Sequence, residues 1–329
     1  MDQITFEPRA QARAPARLSV LTRLRRWEAS GALVALLVLS ALLALASPYF
    51  FTAGNLPIVL RNASFVGLVA LGQTLVLLIG GIDLSVGAAA GLSAIVGALC
   101  LTRLGIHPYL IIPVTALFGL LLGFANALFI AKLRLNPFIV TLASGEIFAG
   151  MTLVITQGYP VRPLGPVFRA IGQTEFYGIP VPVMVFFGAA LILWWMLART
   201  RFGRNIYAVG GNREAAALVG IRVWRVEFIV FGLAGMFAAL AGILYASRMD
   251  AAQPSVGEGW MLSAITAAII GGTSLRGGEG TIIGTVFGAL LLTVLQNGTV
   301  LMNVSGYWQR VIIGSVVLVA VLVDLFRRK

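Results

Sequence analysis

Long stretches without a charged residue recur along the chain and limit what it can fold into. Residues 29–60, 62–82 and 104–131, for example, contain no Asp, Glu, Lys or Arg. A helix rises 1.5 Å per residue, so about 20 apolar residues are needed to cross about 30 Å of hydrocarbon. The chain is 59% hydrophobic and only 11% charged, which water could not solvate as a globular surface. We therefore expect an all-α polytopic membrane protein, and disorder, a secreted disulfide scaffold and a soluble enzyme are excluded.

Trimmed at Pro, Asn and Gly clusters, these stretches predict ten spanning helices. They lie near residues 31–47, 63–80, 86–102, 109–131, 138–156, 181–198, 228–246, 261–271, 282–299 and 308–324. The eighth is short for a full crossing and is expected to be tilted, broken or re-entrant. Residues 29–326 are predicted to form one transmembrane domain, preceded by a basic, disordered cytoplasmic tail over residues 1–28 that contacts anionic lipid at most weakly.

The Lys and Arg residues predict how the helices are oriented, because cytoplasmic loops carry an excess of both. With both termini in the cytoplasm, six of the 24 basic residues face the opposite side and the other 18 face the cytoplasm. The six are Arg61, Arg103, Arg162, Arg169, Arg248 and Arg310. The net charge of +12 is thus explained by topology, and no nucleic-acid partner is expected. A cleavable signal over residues 23–46 is the alternative, disfavoured by its long basic region and by the reversed charge count.

Two segments resemble each other. Residues 79–102 and 270–293 align without gaps with ten identities, beginning at Ile79-Gly80-Gly81 and Ile270-Gly271-Gly272. In both, an apolar helix reaches a Gly-Gly turn and a Gly-rich helix leaves it. Internal repeats are common in transporters, so the pattern favours a transporter, although chance matching among Gly, Ala and Leu is the alternative.

Several chemistries are excluded by residues that the sequence lacks. Cys100 and His107 are the single cysteine and histidine, which excludes an intrachain disulfide, a thiolate metal cluster and a Ser-His-Asp triad. The Gly-rich stretch 272–279 lacks the lysine of a nucleotide-binding loop. We predict no catalytic residue, metal site or cofactor in this chain. An intramembrane enzyme remains a weak alternative without a visible nucleophile–base pair.

The loop 199–227, predicted to be cytoplasmic, contains a short helix. Asn212 is a favourable N-cap, Glu214 suits the positive N-terminal end, and Gly220 can end the helix. The predicted contact residues for another protein are Asn212, Arg213, Glu214, Ala215, Ala216 and Gly220. A small Ala face between glycines suits insertion into a cleft on a partner, and a purely structural surface helix is the alternative.

Five motifs in chain order resemble those of ribose-type permeases of ATP-binding-cassette (ABC) importers. They are Gly72-Gln73-Thr74, Gly80-Gly81-Ile82-Asp83-Leu84-Ser85-Val86-Gly87, Pro137-Phe138-Ile139-Val140-Thr141-Leu142, Arg201-Phe202-Gly203-Arg204 with Tyr207 to Asn212, and Ile270-Gly271-Gly272-Thr273. The resemblance implies a permease in a bacterial inner membrane that translocates a monosaccharide or related polyol. It also implies three partners: a second permease chain, a cytoplasmic ATPase that binds ATP and magnesium, and a periplasmic sugar-binding protein. Residues 212–221 would then be the helix that couples to the ATPase.

Polar residues within the apolar stretches are candidates for a solute path, because sugar hydroxyls need hydrogen-bonding partners once they leave water. They are Gln73, Thr74, Asn126, Thr141, Glu146 and Asn297. Each could equally bind a neighbouring helix. Asp83, with Ser85, is expected to cap a helix that begins near Leu84, or to act at a cytoplasmic gate.

Glu146 lies near the middle of the fifth predicted span, where a buried carboxylate is costly unless it is protonated, paired or hydrated. We expect it to line the path. The alternative is a proton-coupled secondary transporter with Glu146 as the proton carrier. The loop 157–180, with Arg162 and Arg169, either docks the binding protein or is a prolyl connector.

Overall fold

The computed structural model describes residues 30–327, and the predicted basic tail over residues 1–28 lies outside them. The described residues form thirteen α-helices, one π-helical turn and a small β-hairpin. In chain order these are α1 (Ser30–Ala46), α2 (Asn55–Leu78), α3 (Val86–Thr102), α4 (Pro108–Ala127) with the π-turn Leu128–Lys132, α5 (Pro137–Thr156), α6 (Pro166–Gln173), β1 (Glu175–Phe176), β2 (Ile179–Pro180), α7 (Val181–Arg199), α8 (Arg201–Gly211), α9 (Arg213–Leu218), α10 (Val223–Met249), α11 (Trp260–Ile270), α12 (Ile282–Leu301) and α13 (Gly306–Arg327).

Six of the described helices are long and apolar enough to cross a membrane: α2, α4 with its π-turn, α5, α7, α10 and α12. Four shorter apolar helices, α1, α3, α11 and the first part of α13, fall at the four remaining predicted positions. The all-α membrane fold is thus confirmed. The count of ten crossings and the cytoplasmic side of both termini stay predictions.

The connections between the long helices gather at two opposite ends of the bundle. At one end, Arg61 before the middle of α2 binds Glu175 of the hairpin at 2.7 Å, and Val161 pairs with Ala252. At the other, the Gly278 amide donates to the Leu78 carbonyl at 2.9 Å. We name these the outer face and the inner face, after the sides on which the charge pattern places them. Their separation is what successive crossings require.

Helix α10 lies at the centre of the bundle and packs against α2, α3 and α4. Glycines bring the backbones of α4 and α10 together: a Cβ added at Gly123 would lie 2.1 Å from the Phe231 carbonyl oxygen, and one at Gly235 would lie 2.2 Å from the Gly119 oxygen. Small residues at such positions let membrane helices approach closely and gain dispersion contacts. The Gly-rich pattern therefore builds the core.

The two similar segments end their first helix in the same hydrogen-bonded turn. Gly80 donates to the Leu77 carbonyl at 2.8 Å, and Gly272 donates to the Ile269 carbonyl at 2.9 Å. Both glycines have left-handed φ values, +77° and +93°. This equivalence corrects the gapless alignment by one residue, because that alignment pairs Gly80 with Gly271. The second connection is also longer, so the resemblance is one of turn geometry with an insertion.

Two predicted boundaries differ because a charge is neutralised inside a helix instead of ending it. Helix α2 begins at Asn55 and contains Arg61, which is paired with Glu175. Helix α10 begins at Val223 and contains Glu227, which is paired with Arg213. Helix α8 was not predicted, although Thr200 caps it by accepting from the Gly203 amide at 3.1 Å.

Candidate coupling helix and solute path

The short helix predicted after Asn212 is present as α9 on the inner face. Asn212 Oδ1 accepts from the Ala215 amide at 2.9 Å, and Gly220 follows the helix with a φ of +87°. Ala216 is buried against the bundle, whereas Leu218 and Val219 are 88% and 78% exposed. The alanines were predicted as contact residues, whereas this exposed apolar tip was not. Two bulky apolar side chains at the end of a protruding helix suit a cleft on another protein.

A bidentate salt bridge holds α9 against the start of α10. Both Arg213 guanidinium nitrogens bind the Glu227 carboxylate, with the Nη2–Oε2 pair at 3.1 Å. The Glu227 side chain is only 4% exposed, and Arg213 is 56% exposed. Removing the Arg213 side chain would leave a buried, unpaired carboxylate. Glu227 was missed because it reads in the sequence as a charge that ends a span. Arg213, predicted as a contact residue, therefore also positions the helix.

A positively charged groove of about 990 Å³ runs beside α9. It lies between this helix and the connection from α4 to α5. Its charged lining residues are Lys132, Arg134, Arg213, Arg222 and Glu214. Arg213 is neutralised by Glu227, so three further cations against one acid give the groove a positive potential, which would attract acidic groups on a docking partner.

Asp83 and Ser85 form a buried network in the connection between α2 and α3. Asp83 Oδ1 accepts from the Ser85 amide at 2.8 Å and from the Ser85 hydroxyl at 2.6 Å. Asn126 in turn donates to the Ser85 hydroxyl oxygen at 2.9 Å. The structure corrects the predicted cap: α3 begins at Val86 and Ser85 takes the N-cap position, because Asp83 folds onto Ser85 instead. Burial raises the pKa of the Asp83 carboxyl, and the hydrogen bonds from Ser85 partly oppose this.

Gln73 joins the same network. In the amide orientation that satisfies both groups, its nitrogen donates to the Asp83 carbonyl at 3.1 Å and its oxygen accepts from the Asp83 amide at 3.2 Å. The Thr141 hydroxyl oxygen accepts from the Leu84 amide at 3.0 Å. Both residues were predicted to line the path, and both are buried within the chain. Here they tie α2 and α5 to the connection between α2 and α3.

Two further predicted path residues join helices in the same way. The Thr74 hydroxyl lies 2.7 Å from that of Thr285 on α12. Asn297 exchanges two hydrogen bonds, at 3.0 Å and 2.8 Å, with Asn55 at the outer end of α2. With Gln73, Asn126 and Thr141, five of the six predicted path residues thus have partners inside the chain. Their contact with solute stays a prediction.

Glu146 is placed differently from the other five predicted path residues. Its side chain is exposed on the surface of the chain, in the middle of α5, and makes no ion pair with any residue between 30 and 327. The opposite side of α5 packs against α3. The predicted role of Glu146 in lining the path stays a prediction. A carboxylate on the lipid-exposed middle of a spanning helix is costly, so water or another protein surface must cover this face.

Known proteins with similar sequences match nearly the whole membrane domain. A family model described as a permease component of branched-chain amino acid transport systems matches residues 55–322. The ribose import permease of Bacillus subtilis is 44% identical over 297 residues, which is 89% of this chain and 92% of the relative. The chain is a member of the ribose-type ABC permease family.

Other relatives of this permease widen the comparison. The ribose import permease of Escherichia coli strain K12 is 43% identical over 89% of this chain and 92% of its own. The D-allose transport permease of the same strain is 38% identical over 91% and 92%. All are membrane components of transporters, which agrees with the prediction that this permease is a transport subunit and not an enzyme. The resemblance drawn from the five sequence motifs is thereby confirmed.

Proposed function

We propose that this permease is the membrane-spanning subunit of an ABC importer, and that it carries a monosaccharide or related polyol across the bacterial inner membrane. Ribose is the first candidate, since ribose permeases of two bacteria are 43–44% identical to it, and the allose, arabinose and fructose permeases among its relatives also transport monosaccharides according to their names. Energy would come from hydrolysis of ATP, bound with magnesium to a separate cytoplasmic ATPase.

The observation that carries the proposal is the geometry of α9. This helix is capped by Asn212, fixed by the Arg213–Glu227 pair, and presents Leu218 and Val219 to solvent. A cleft on the ATPase would desolvate the apolar tip, while the positive groove beside α9 would attract acidic residues around that cleft. Movement of the ATPase would then displace α9 as a rigid body.

The solute path is proposed to lie between two permease chains, identical or related. The exposed face of α5, with Glu146 at its middle, becomes favourable when it borders a hydrated path instead of lipid. There, sugar hydroxyls can donate to the carboxylate, which makes a stronger hydrogen bond than a neutral acceptor would. Glu146 is therefore the residue of the predicted set best placed to meet solute.

A periplasmic binding protein would deliver the sugar to the outer face. The outer connection is built from α6 and the hairpin, and Arg61 and Glu175 fix it to α2. Arg169 is half-exposed and lies 3.9 Å from Asp250, and Arg162 borders a groove nearby. These basic groups suit acidic residues on a docking protein.

The test removes the apolar tip and leaves the fold unchanged. The double variant Leu218→Asp/Val219→Asp should abolish co-purification of the cognate ABC ATPase, because two carboxylates cannot be buried in an apolar cleft. The matched control is Tyr177→Asp, which changes an equally exposed residue of the outer hairpin and should leave the complex intact. Undiminished ATPase binding by the double variant would refute the role of α9.

Proton-coupled transport is a second candidate, because Glu146 is a carboxylate exposed in the middle of α5 that pairs with no cation among residues 30–327. In vesicles that contain the permease alone, a pH gradient would then drive ribose uptake, and Glu146→Gln would abolish it. We expect no such uptake by the unmodified protein. Gradient-driven accumulation without ATPase would favour this second candidate over the first.

A further inference from the structure

Three segments of the inner face meet without any intervening side chain. They are the end of α2 with its turn (78–80), Gly210 near the end of α8, and the loop before α12 (276–278). The Gly278 amide donates to the Leu78 carbonyl at 2.9 Å, and Gly210 packs on this hydrogen bond. A Cβ at position 210 would lie 1.8 Å from the Leu78 oxygen and 2.5 Å from the Gly278 nitrogen. Backbone on both sides leaves no room for relaxation. We call this contact the glycine junction.

The glycine junction is continuous with α9. Gly210 lies in the last turn of α8, and Asn212, two residues later, caps α9. The Tyr207 hydroxyl of α8 also donates to the Gly280 carbonyl at 2.9 Å, which adds a second attachment to the loop before α12. If α9 moves and α8 does not bend, both the turn after α2 and the loop before α12 must therefore move as well.

Hydrogen bonds continue from the turn after α2 to α5. The Leu84 amide donates to the Thr141 hydroxyl of α5 at 3.0 Å. Asp83, Ser85 and Asn126 connect the same segment to the end of α4. Glu146 lies little more than one turn after Thr141. A contiguous set of packed and hydrogen-bonded groups thus connects α9 with the face proposed to border the path.

We infer that Gly210 is a positioning residue that transmits movement of α9 to the turn after α2 and to the loop before α12. From the turn after α2, the movement reaches α5 through Leu84 and Thr141. The inference rests on the proposed function, because it takes α9 as the contact with the ATPase. It assigns the absence of a side chain at position 210 a mechanical role, distinct from binding of the ATPase itself. Binding and transmission are therefore separable by mutation.

The experiment measures ATPase binding and α5 movement in the assembled complex. Nitroxide labels are placed at Ile147 of α5 and Tyr177 of the outer hairpin, both exposed, in a Cys100→Ser background. Pulsed electron paramagnetic resonance then measures the distance between the two labels with and without ATP, magnesium and vanadate. Gly210→Ala is compared with Gly211→Ala, the matched control, because a Cβ at position 211 meets nothing within 4 Å.

We expect all three proteins to retain the ATPase. The nucleotide-dependent shift should appear in the unmodified protein and in Gly211→Ala, and should be lost in Gly210→Ala. An equal shift in Gly210→Ala would overturn the inference. If Gly210→Ala is not recovered in the complex, Tyr207→Phe replaces it, since this change removes the hydrogen bond to the Gly280 carbonyl and adds no volume. Tyr207→Phe should reduce the shift, and an unchanged shift would likewise overturn the inference. Failure of the unmodified protein to bind ATPase would instead refute the proposed function.

Discussion

At the scale of single residues, the contact between Arg213 and Glu227 decides how α9 is held. Glu227 is nearly inaccessible to solvent, and Arg213 is its ion-pair partner. Breaking a fully buried pair costs roughly 3–5 kcal/mol. Because Arg213 is half-exposed, water can partly replace it, and we expect a smaller loss of about 1–3 kcal/mol.

This predicts a non-additive pair of variants. Arg213→Ala should lower the free energy of unfolding, since the Glu227 carboxylate loses its partner. Adding Glu227→Met to Arg213→Ala should restore most of the loss, because no charge is then buried. Thermal unfolding in detergent measures both. Equal destabilisation of the single and double variants would show that the loss does not come from an unpaired, buried carboxylate.

Asp83 gives a prediction with a defined pH dependence. Burial raises the pKa of its carboxyl above the ordinary value of 3.8, so the stability that the protonated form provides is present below about pH 3.8 and is lost as the pH rises through the folded-state pKa. Asp83→Asn keeps an oxygen acceptor for Ser85 and has no proton to lose.

At neutral pH, Asp83→Asn should therefore melt at the same temperature as the unmodified protein or higher. Asp83→Ala should melt lower, since the Ser85 amide and hydroxyl lose their acceptor at a cost of about 1–3 kcal/mol. Melting curves from pH 4 to 7 check both. A melting temperature of Asp83→Asn as low as that of Asp83→Ala would show that the negative charge itself stabilises the fold.

The residue types of the site were predictable from the sequence, but their partners were not. Polar residues in apolar stretches identified Gln73, Thr74 and Thr141, yet a helix can direct such groups inward or outward with the same composition. Only the helix packing shows that Thr74 meets Thr285 and that Glu146 lies on the chain surface. Asn212 was assigned correctly because an N-cap is a local interaction that depends on adjacent residues.

At the scale of elements, the close approach of α4 and α10 depends on glycines that no larger residue can replace. A Cβ at Gly123 would lie 2.1 Å from the Phe231 carbonyl oxygen and 2.8 Å from the Gly232 Cα. Gly123→Ala should therefore separate the helices and cost about 1–3 kcal/mol. Gly150→Ala on α5 is the matched control, because a Cβ there meets nothing within 4 Å.

The comparison is made by thermal unfolding of the two variants in the same detergent. The melting temperature of Gly123→Ala should be clearly below that of the unmodified protein. The free energy of unfolding of Gly150→Ala should stay within about 0.5 kcal/mol of that of the unmodified protein. Equal melting of the two would contradict the backbone contact between α4 and α10.

Element positions followed from the sequence wherever a span has no charge inside it. Helices α3 and α12 begin at residues 86 and 282, as predicted, since apolar runs and Gly-rich turns bound them. Helices α2 and α10 were predicted too short because single charges within them are neutralised by residues distant in sequence. Such pairing is a tertiary property, so it cannot be predicted by dividing the sequence at its charged residues.

At the scale of the whole molecule, the two faces of the bundle divide the proposed tasks. The inner face carries α9, the positive groove and the glycine junction, and the outer face carries the connection of α6 and the hairpin. Between them, α5 exposes Glu146. This arrangement fits the proposed subunit, which would gain its energy at one face, admit solute at the other and bind partners at both.

Reconstitution in vesicles tests this central claim most directly. Permease, cognate ATPase and binding protein are inserted in an orientation that places ATP on the side of α9, and uptake of radiolabelled ribose and of the other relatives' sugars is followed. The account predicts accumulation against a gradient that requires ATP, the ATPase and the binding protein together. Accumulation of sugar by the permease alone, without ATP, would contradict it.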